Sequence, residues 1–227
     1  MFKRIFTGFL LVASCLLVLA ACSNNPSDEG AGSDEEVVAS VNGKEIYLSE
    51  YNLAVDQTKK NYVQQGMDES SFNDEMLDEL EKNVMDQLIN TELFTQQAQN
   101  AGIEVEEEAV DAQLNQLKGQ FSDESQYKEA LEANNLTESS LKGDIKQDLL
   151  VSQYVESNIG TQTASEEEVQ ARYEMVKEMA KSQEQEVQEL EEIRAQLEQE
   201  VVAQKQQVEV EKLIEELRDT NKIEIYL

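Results

Sequence analysis

Val37-Val38-Ala39-Ser40-Val41, then Asn42-Gly43, then Lys44-Glu45-Ile46-Tyr47, is the stretch that decides the fold. Val37, Ala39 and Val41 fall on one side of an alternating segment. Asn-Gly between two short apolar runs is a strong hairpin signal, because both residues accept positive φ. At the other end, Ile223, Ile225 and Leu227 alternate with Glu224 and Tyr226, as in a half-buried strand. A lone terminal strand needs a partner, since unpaired backbone groups are costly when buried. The only other strand signals lie in 37–47. The two ends of the body are therefore expected to meet in one small sheet.

Between these ends the periodicity is helical. Ser49 is expected to cap a first helix, with Glu50 favourable in its first turn and Gly66 at its end. A longer helix follows Ser70-Ser71-Phe72-Asn73. It carries Met76, Leu77, Leu80, Val84, Leu88 and Ile89 at three- and four-residue steps, continues to Ala98 and stops at Gly102. A third helix is expected to hold Val110, Leu114, Leu117 and Phe121. A short one holds Tyr127, Ala130 and Leu131. Thr137 caps a fifth with Leu141, Ile145 and Leu149.

From 161 to 227 there is no Gly and no Pro. Ser165-Glu166-Glu167-Glu168 reads as a capping box. An apolar stripe begins with Val169, Tyr173 and Val176 and fades across 181–186. It resumes with Val187, Leu190, Ile193, Leu197 and Val201, then Val208, Leu213, Ile214 and Leu217. This composition suits a long helix or a helical hairpin. Gaps at Gln183, Arg194 and Gln204 argue against a long coiled-coil seam. The expected fold is mainly α: a helical lobe with a small β-sheet from N- and C-terminal strands and a long C-terminal helix or hairpin.

The first residues read as an address. Met1-Phe2-Lys3-Arg4 is basic, the run to Val18 is uncharged and apolar, and Leu19-Ala20-Ala21-Cys22 has the form of a lipobox. The expected organisation is a lipoprotein signal over 1–21, a flexible acidic tether over 22–36, a helical domain over 37–160, and a segment over 161–227 that completes the same lobe. Diacylation of Cys22, with chains such as palmitate, would supply the two chains that stable anchoring needs. The expected location is the extracytoplasmic face of the cell membrane.

Composition narrows the chemistry. The net charge is −30, which disfavours nucleic acid and anionic surfaces. There is no histidine, so Ser-His-Asp and Cys-His catalysis and imidazole metal sites are excluded. Cys15 is lost with the leader and Cys22 is consumed by lipid. No cofactor, metal or catalytic constellation is expected. Met67, Phe72, Met76, Met85, Phe94 and Phe121 are candidates for an apolar client-binding surface, because methionine and aromatic side chains adapt to varied partners. The same residues suit the core of the lobe.

Val38-Ala39-Ser40-Val41-Asn42-Gly43-Lys44-Glu45-Ile46 resembles the opening strand of the SurA/PrsA-type extracytoplasmic chaperones. Asp86 to Leu93, then Ala98-Gln99-Asn100-Ala101-Gly102-Ile103, is similar to that family's helix followed by A-x-x-x-G-I. Lys222-Ile223-Glu224-Ile225 is similar to its closing strand. Members with isomerase activity carry a parvulin domain between these parts. Here the corresponding interval lacks the Gly, Pro and His that such a unit uses. The resemblance implies a folding factor that binds unfolded or nascent exported polypeptides without catalysis. The alternatives are a peptidyl-prolyl isomerase and a structural coiled-coil lipoprotein.

Overall fold

The computed structural model describes residues 35–182 and 188–227. The expected leader, Cys22 and the expected tether up to residue 34 lie outside the described residues, as does Val187. Residues 35–155 with Leu217–Leu227 form one compact unit, and the described part of Glu156–Glu216 forms another.

The hairpin is present: β1 (Val37–Val41) pairs antiparallel with β2 (Lys44–Tyr47), with Val41 opposite Lys44 and Ala39 opposite Ile46. Asn42 and Gly43 turn the chain at φ 53° and 87°, the positive values that a tight, right-twisted hairpin turn demands. β3 (Ile223–Ile225) pairs antiparallel with the other side of β1, giving the order β2-β1-β3. The two ends of the body thus meet in one sheet, as the pairing argument required. Val38, Ala39 and Val41 of the central strand are fully buried. Asn42 locks the junction. Its Nδ2 donates to Gln96 Oε1 at 2.9 Å and to Asn221 Oδ1 at 2.8 Å, and its Oδ1 accepts from the Lys222 amide at 3.0 Å.

α1 (Leu48–Gln64) begins one residue before the expected cap. Tyr47 holds the N-cap position without a side-chain bond, and Ser49 lies inside the first turn, its hydroxyl donating to the Glu35 carboxylate. The Leu48 amide is taken by the Glu36 carbonyl, so the strand feeds straight into the helix. α1 ends where Gly66, at φ 95°, lets the Met67 amide reach Tyr62 O and the Gly66 amide reach Val63 O.

A short 3₁₀ turn (Glu69–Ser71) leads to α2 (Asp74–Asn100), capped by Asn73 Oδ1 on the Met76 amide at 2.9 Å. α2 is the spine of the unit: Leu80, Val84, Leu88, Ile89, Leu93 and Ala98 are buried along it.

α3 (Glu107–Lys118), α4 (Glu124–Ala133) and α5 (Glu138–Ile159) follow. Val105, Val110, Leu114, Tyr127, Leu141 and Ile145 form their shared core. Phe121 falls beyond the end of α3, not within it. Gly119 closes the helix, and the Phe121 ring then packs edge-on to Tyr127 at 5.6 Å.

In the second unit, α6 (Glu166–Ser182) starts on the expected capping box. The Glu168 amide donates to Ser165 Oγ at 3.3 Å, and the Ser165 amide donates to Glu168 Oε2 at 2.8 Å. α7 (Leu190–Thr220) is the long C-terminal helix. Arg172–Glu200 at 2.8 Å, Arg194–Glu166 at 2.6 Å and Lys205–Glu168 at 2.9 Å tie α6 to α7. The last turn of α7 returns to the first unit, where Leu217 is buried and Arg218 pairs with Asp86 of α2 at 2.6 Å. Among the described residues, no helix is long and apolar enough to cross a membrane.

Candidate functional site

Two open grooves with apolar linings stand out among the described residues, one in each unit. The first, about 640 Å³, lies where α1, the 3₁₀ turn and the start of α2 meet. Val63, Phe72 and Leu77 supply its apolar wall, and Asp56, Lys59, Lys60, Gln64 and Glu69 its polar lining. The turn chemistry builds this shape. The Schellman end of α1 reverses the chain at Gly66. Asp68 then accepts from the Ser70 amide and hydroxyl at 2.8 and 2.7 Å, fixing the 3₁₀ turn that presents Phe72. Tyr62 packs edge-on to Phe72 at 6.3 Å, and Tyr62 and Val63 are themselves more than a third exposed.

The second groove, about 340 Å³, runs along α6 and α7. Met175, Val201 and Val208 form its apolar part, with Ala171 between them. Met175 is 61% exposed, and Met179 one turn on is 58% exposed. Here the charged groups are already engaged. Lys205 holds Glu168 and also donates to the Thr163 carbonyl at 2.9 Å, and Arg172 holds Glu200. Bonds from the Ser165 backbone and hydroxyl and from Lys205 pull the Glu168 carboxyl down to about 2.

The six residues singled out in the sequence divide. Met85 and Phe94 are closed off in the α2 core, where Phe94 meets Tyr154 at 6.1 Å. Phe121 packs against the α3–α5 core. Phe72 lines the first groove, and Met67 and Met76, both half-buried, lie in the segments that lead into and out of it. Met175 and Met179 were missed. They lie one turn apart and about 100° round α6 from the Val169–Val176 stripe, and that displacement from the buried face was the available signal.

The charged surface holds a second pattern. Asp144 and Asp148, one turn apart on α5, are pushed up to about 6 and about 7. Desolvation is the cause for both, and Asp144 adds repulsion for Asp148. These carboxylates are held in the helix without the compensation that Glu168 receives.

A helical body whose sheet is closed by strands from both of its ends defines the class of fold. A profile of the SurA-like N-terminal domain matches residues 2–155. The chain belongs to the SurA-like N-terminal domain family. It is 28% identical over 163 residues to proteins described as chaperone SurA from the Lens and Paris strains of Legionella pneumophila. That match covers 70% of this chain and 34% of each relative, so the chain spans about a third of the length of those relatives. A solved structure of SurA-like chaperones from Campylobacter jejuni, concerning the virulence factor PEB4 and the periplasmic protein Cj1289, shares the fold. Its TM-score is 0.54 at 14% identity, over 84% of this chain and 98% of that one. No parvulin-like α/β unit is evident among the described residues. The described part of 161–220 is two helices with no strand.

Proposed function

We propose that this chain is a lipid-tethered extracytoplasmic folding factor that holds unfolded or nascent exported polypeptides without catalysing their isomerisation. In this reading Cys22 carries the lipid, 22–36 is the spacer, and the helical body over 37–227 does the binding. The observation that carries the reading is the pair of solvent-open grooves with apolar linings. Each is walled by helices and offers methionine, valine or aromatic side chains to a partner. An unfolded segment gains by covering such surface at about 25 cal/mol per Å², and no fixed sequence is needed because apolar contact is non-directional. Family membership and the chaperone descriptions of the relatives support the same reading.

The test is suppression of aggregation of a chemically unfolded exported protein by residues 23–227. Suppression near stoichiometric amounts is expected. Phe72→Ser and Met175→Ser, combined, are expected to weaken it severalfold while circular dichroism stays unchanged. Failure to suppress at excess protein would overturn the reading. A proline-isomerisation assay on a short peptide is expected to show no turnover above the uncatalysed rate. Cys22→Ala is expected to release the protein from the membrane fraction.

A further inference from the structure

The first groove differs from the second in the state of its cations. The chain carries 48 acidic and 18 basic residues. All three arginines among the described residues, and most of the lysines, hold a carboxylate. Lys59 and Lys60, adjacent on α1 and both lining the first groove, are in no ion pair or hydrogen bond among the described residues. In the second groove the corresponding cations, Arg172 and Lys205, are spent on Glu200 and Glu168.

Asp56 and Glu69 also line the first groove. Formal charge there cancels, whereas the chain as a whole is at −30. A lysine ammonium is a mobile point charge on a flexible stem. Beside Val63, Phe72 and Leu77 it offers an incoming carboxylate a partner while apolar side chains fill the groove. In the second groove an acidic segment meets cations already taken; Lys44, Lys82 and Lys181 are also without an ion pair among the described residues, but they line neither groove.

We propose that the α1–α2 groove selects unfolded polypeptide segments in which a large apolar side chain is followed closely by Asp or Glu, the carboxylate being met by Lys59 and Lys60. This deepens the folding-factor reading and rests on it. The field of a strongly acidic chain favours cationic clients at long range. The groove reverses that preference at contact, and so lets acidic segments be held that the surface would otherwise repel.

The experiment uses the full chain in lipid nanodiscs, with empty nanodiscs as reference. Two labelled peptides with the same Phe-x-Leu core are compared by fluorescence anisotropy, one followed by Glu-Glu and its twin by Gln-Gln. The acidic peptide is expected to bind about fivefold more tightly, as two partly exposed ion pairs would give. The ratio is expected to collapse towards one in K59Q/K60Q and in 0.5 M salt, and to survive in K59R/K60R.

Equal binding of the twins to the wild type, or a preference that persists in K59Q/K60Q, would overturn the proposal. Displacement of the acidic peptide by dodecanoate at equal concentration would also overturn it, in favour of an aliphatic anion as occupant. Aggregation suppression in the same preparations separates the two levels. If suppression stands while neither peptide binds, the groove assignment fails alone; if suppression is absent, the folding-factor reading fails with it.

Discussion

The two units of this protein are held by different physics. In the unit formed by residues 35–155 and Leu217–Leu227, burial dominates: Ile89, Ala39, Val41 and Ala98 are completely closed off, and a second apolar core joins α3, α4 and α5. Among the described residues of Glu156–Glu216, only Val169, Leu197 and Val201 are buried apolars. There the cross-helix ion pairs at Arg172, Arg194 and Lys205 and the Ser165–Glu168 box do much of the positioning. Surface ion pairs each contribute under about 1 kcal/mol and weaken in salt. The lesson is that α6 and α7 are the softer scaffold, and that the grooves of the two units differ in how firmly their walls are fixed.

The sharpest way to break this contrast is to make equivalent holes in both units. Ile89→Ala is expected to cost about 4 kcal/mol, read as a shift in the denaturation midpoint of the unit holding α2. Leu197→Ala is expected to cost about 3 kcal/mol locally, and hydrogen exchange is expected to rise in α6 and α7 while the α2 amides stay protected. Loss of protection throughout the chain from Leu197→Ala would show that the units unfold together.

Next comes the junction. Asn42→Ala loses three hydrogen bonds and places a Cβ-bearing aliphatic residue at φ 53°. A loss of about 2 kcal/mol is expected. Asn42→Gly keeps the turn and should recover part of it, so the pair of variants separates backbone conformation from bonding.

The pH responses of the units are expected to have opposite signs. Asp148 in the folded chain is pushed up to about 7 from 3.8, so the native state binds the extra proton between those values. Its contribution therefore becomes unfavourable as pH rises from about 4 to 7. Asp148→Asn should remove that slope and add about 1 kcal/mol at pH 7.5, measured by urea denaturation across pH. Glu168 is pulled the other way, to about 2 from 4.5. Its contribution is present above about pH 4.5 and is lost as pH falls towards 2. Glu168→Gln should speed amide exchange at the start of α6 at pH 7 and leave α5 unchanged. This is the smallest effect expected.

Much of the fold was legible because it is local. Asn42-Gly43, Asn73, Thr137 and the Ser165–Glu168 box act within four residues of themselves, and all four do in the structure what their chemistry predicts. Ser49 failed as a cap because the helix already begins at Leu48, which leaves Ser49 inside the first turn with its hydroxyl turned to Glu35. Phe121 failed as a helical residue because periodicity does not register where Gly119 ends the turn. The candidate surface was less legible. Met85 and Phe94 carry the same side-chain chemistry as Met175 and Phe72, and only packing separates the buried pair from the groove-lining one.

The sequence by itself determined the element types, the turns, the pairing of the two ends and the absence of imidazole chemistry. Each of these depends on backbone preference or on residue identity alone. Tertiary structure decided which apolar side chains face a groove and which lysines remain without a carboxylate. Those outcomes depend on neighbours brought together from distant parts of the chain, as when Lys205 meets Glu168 while Lys59 and Lys60 meet no carboxylate among the described residues.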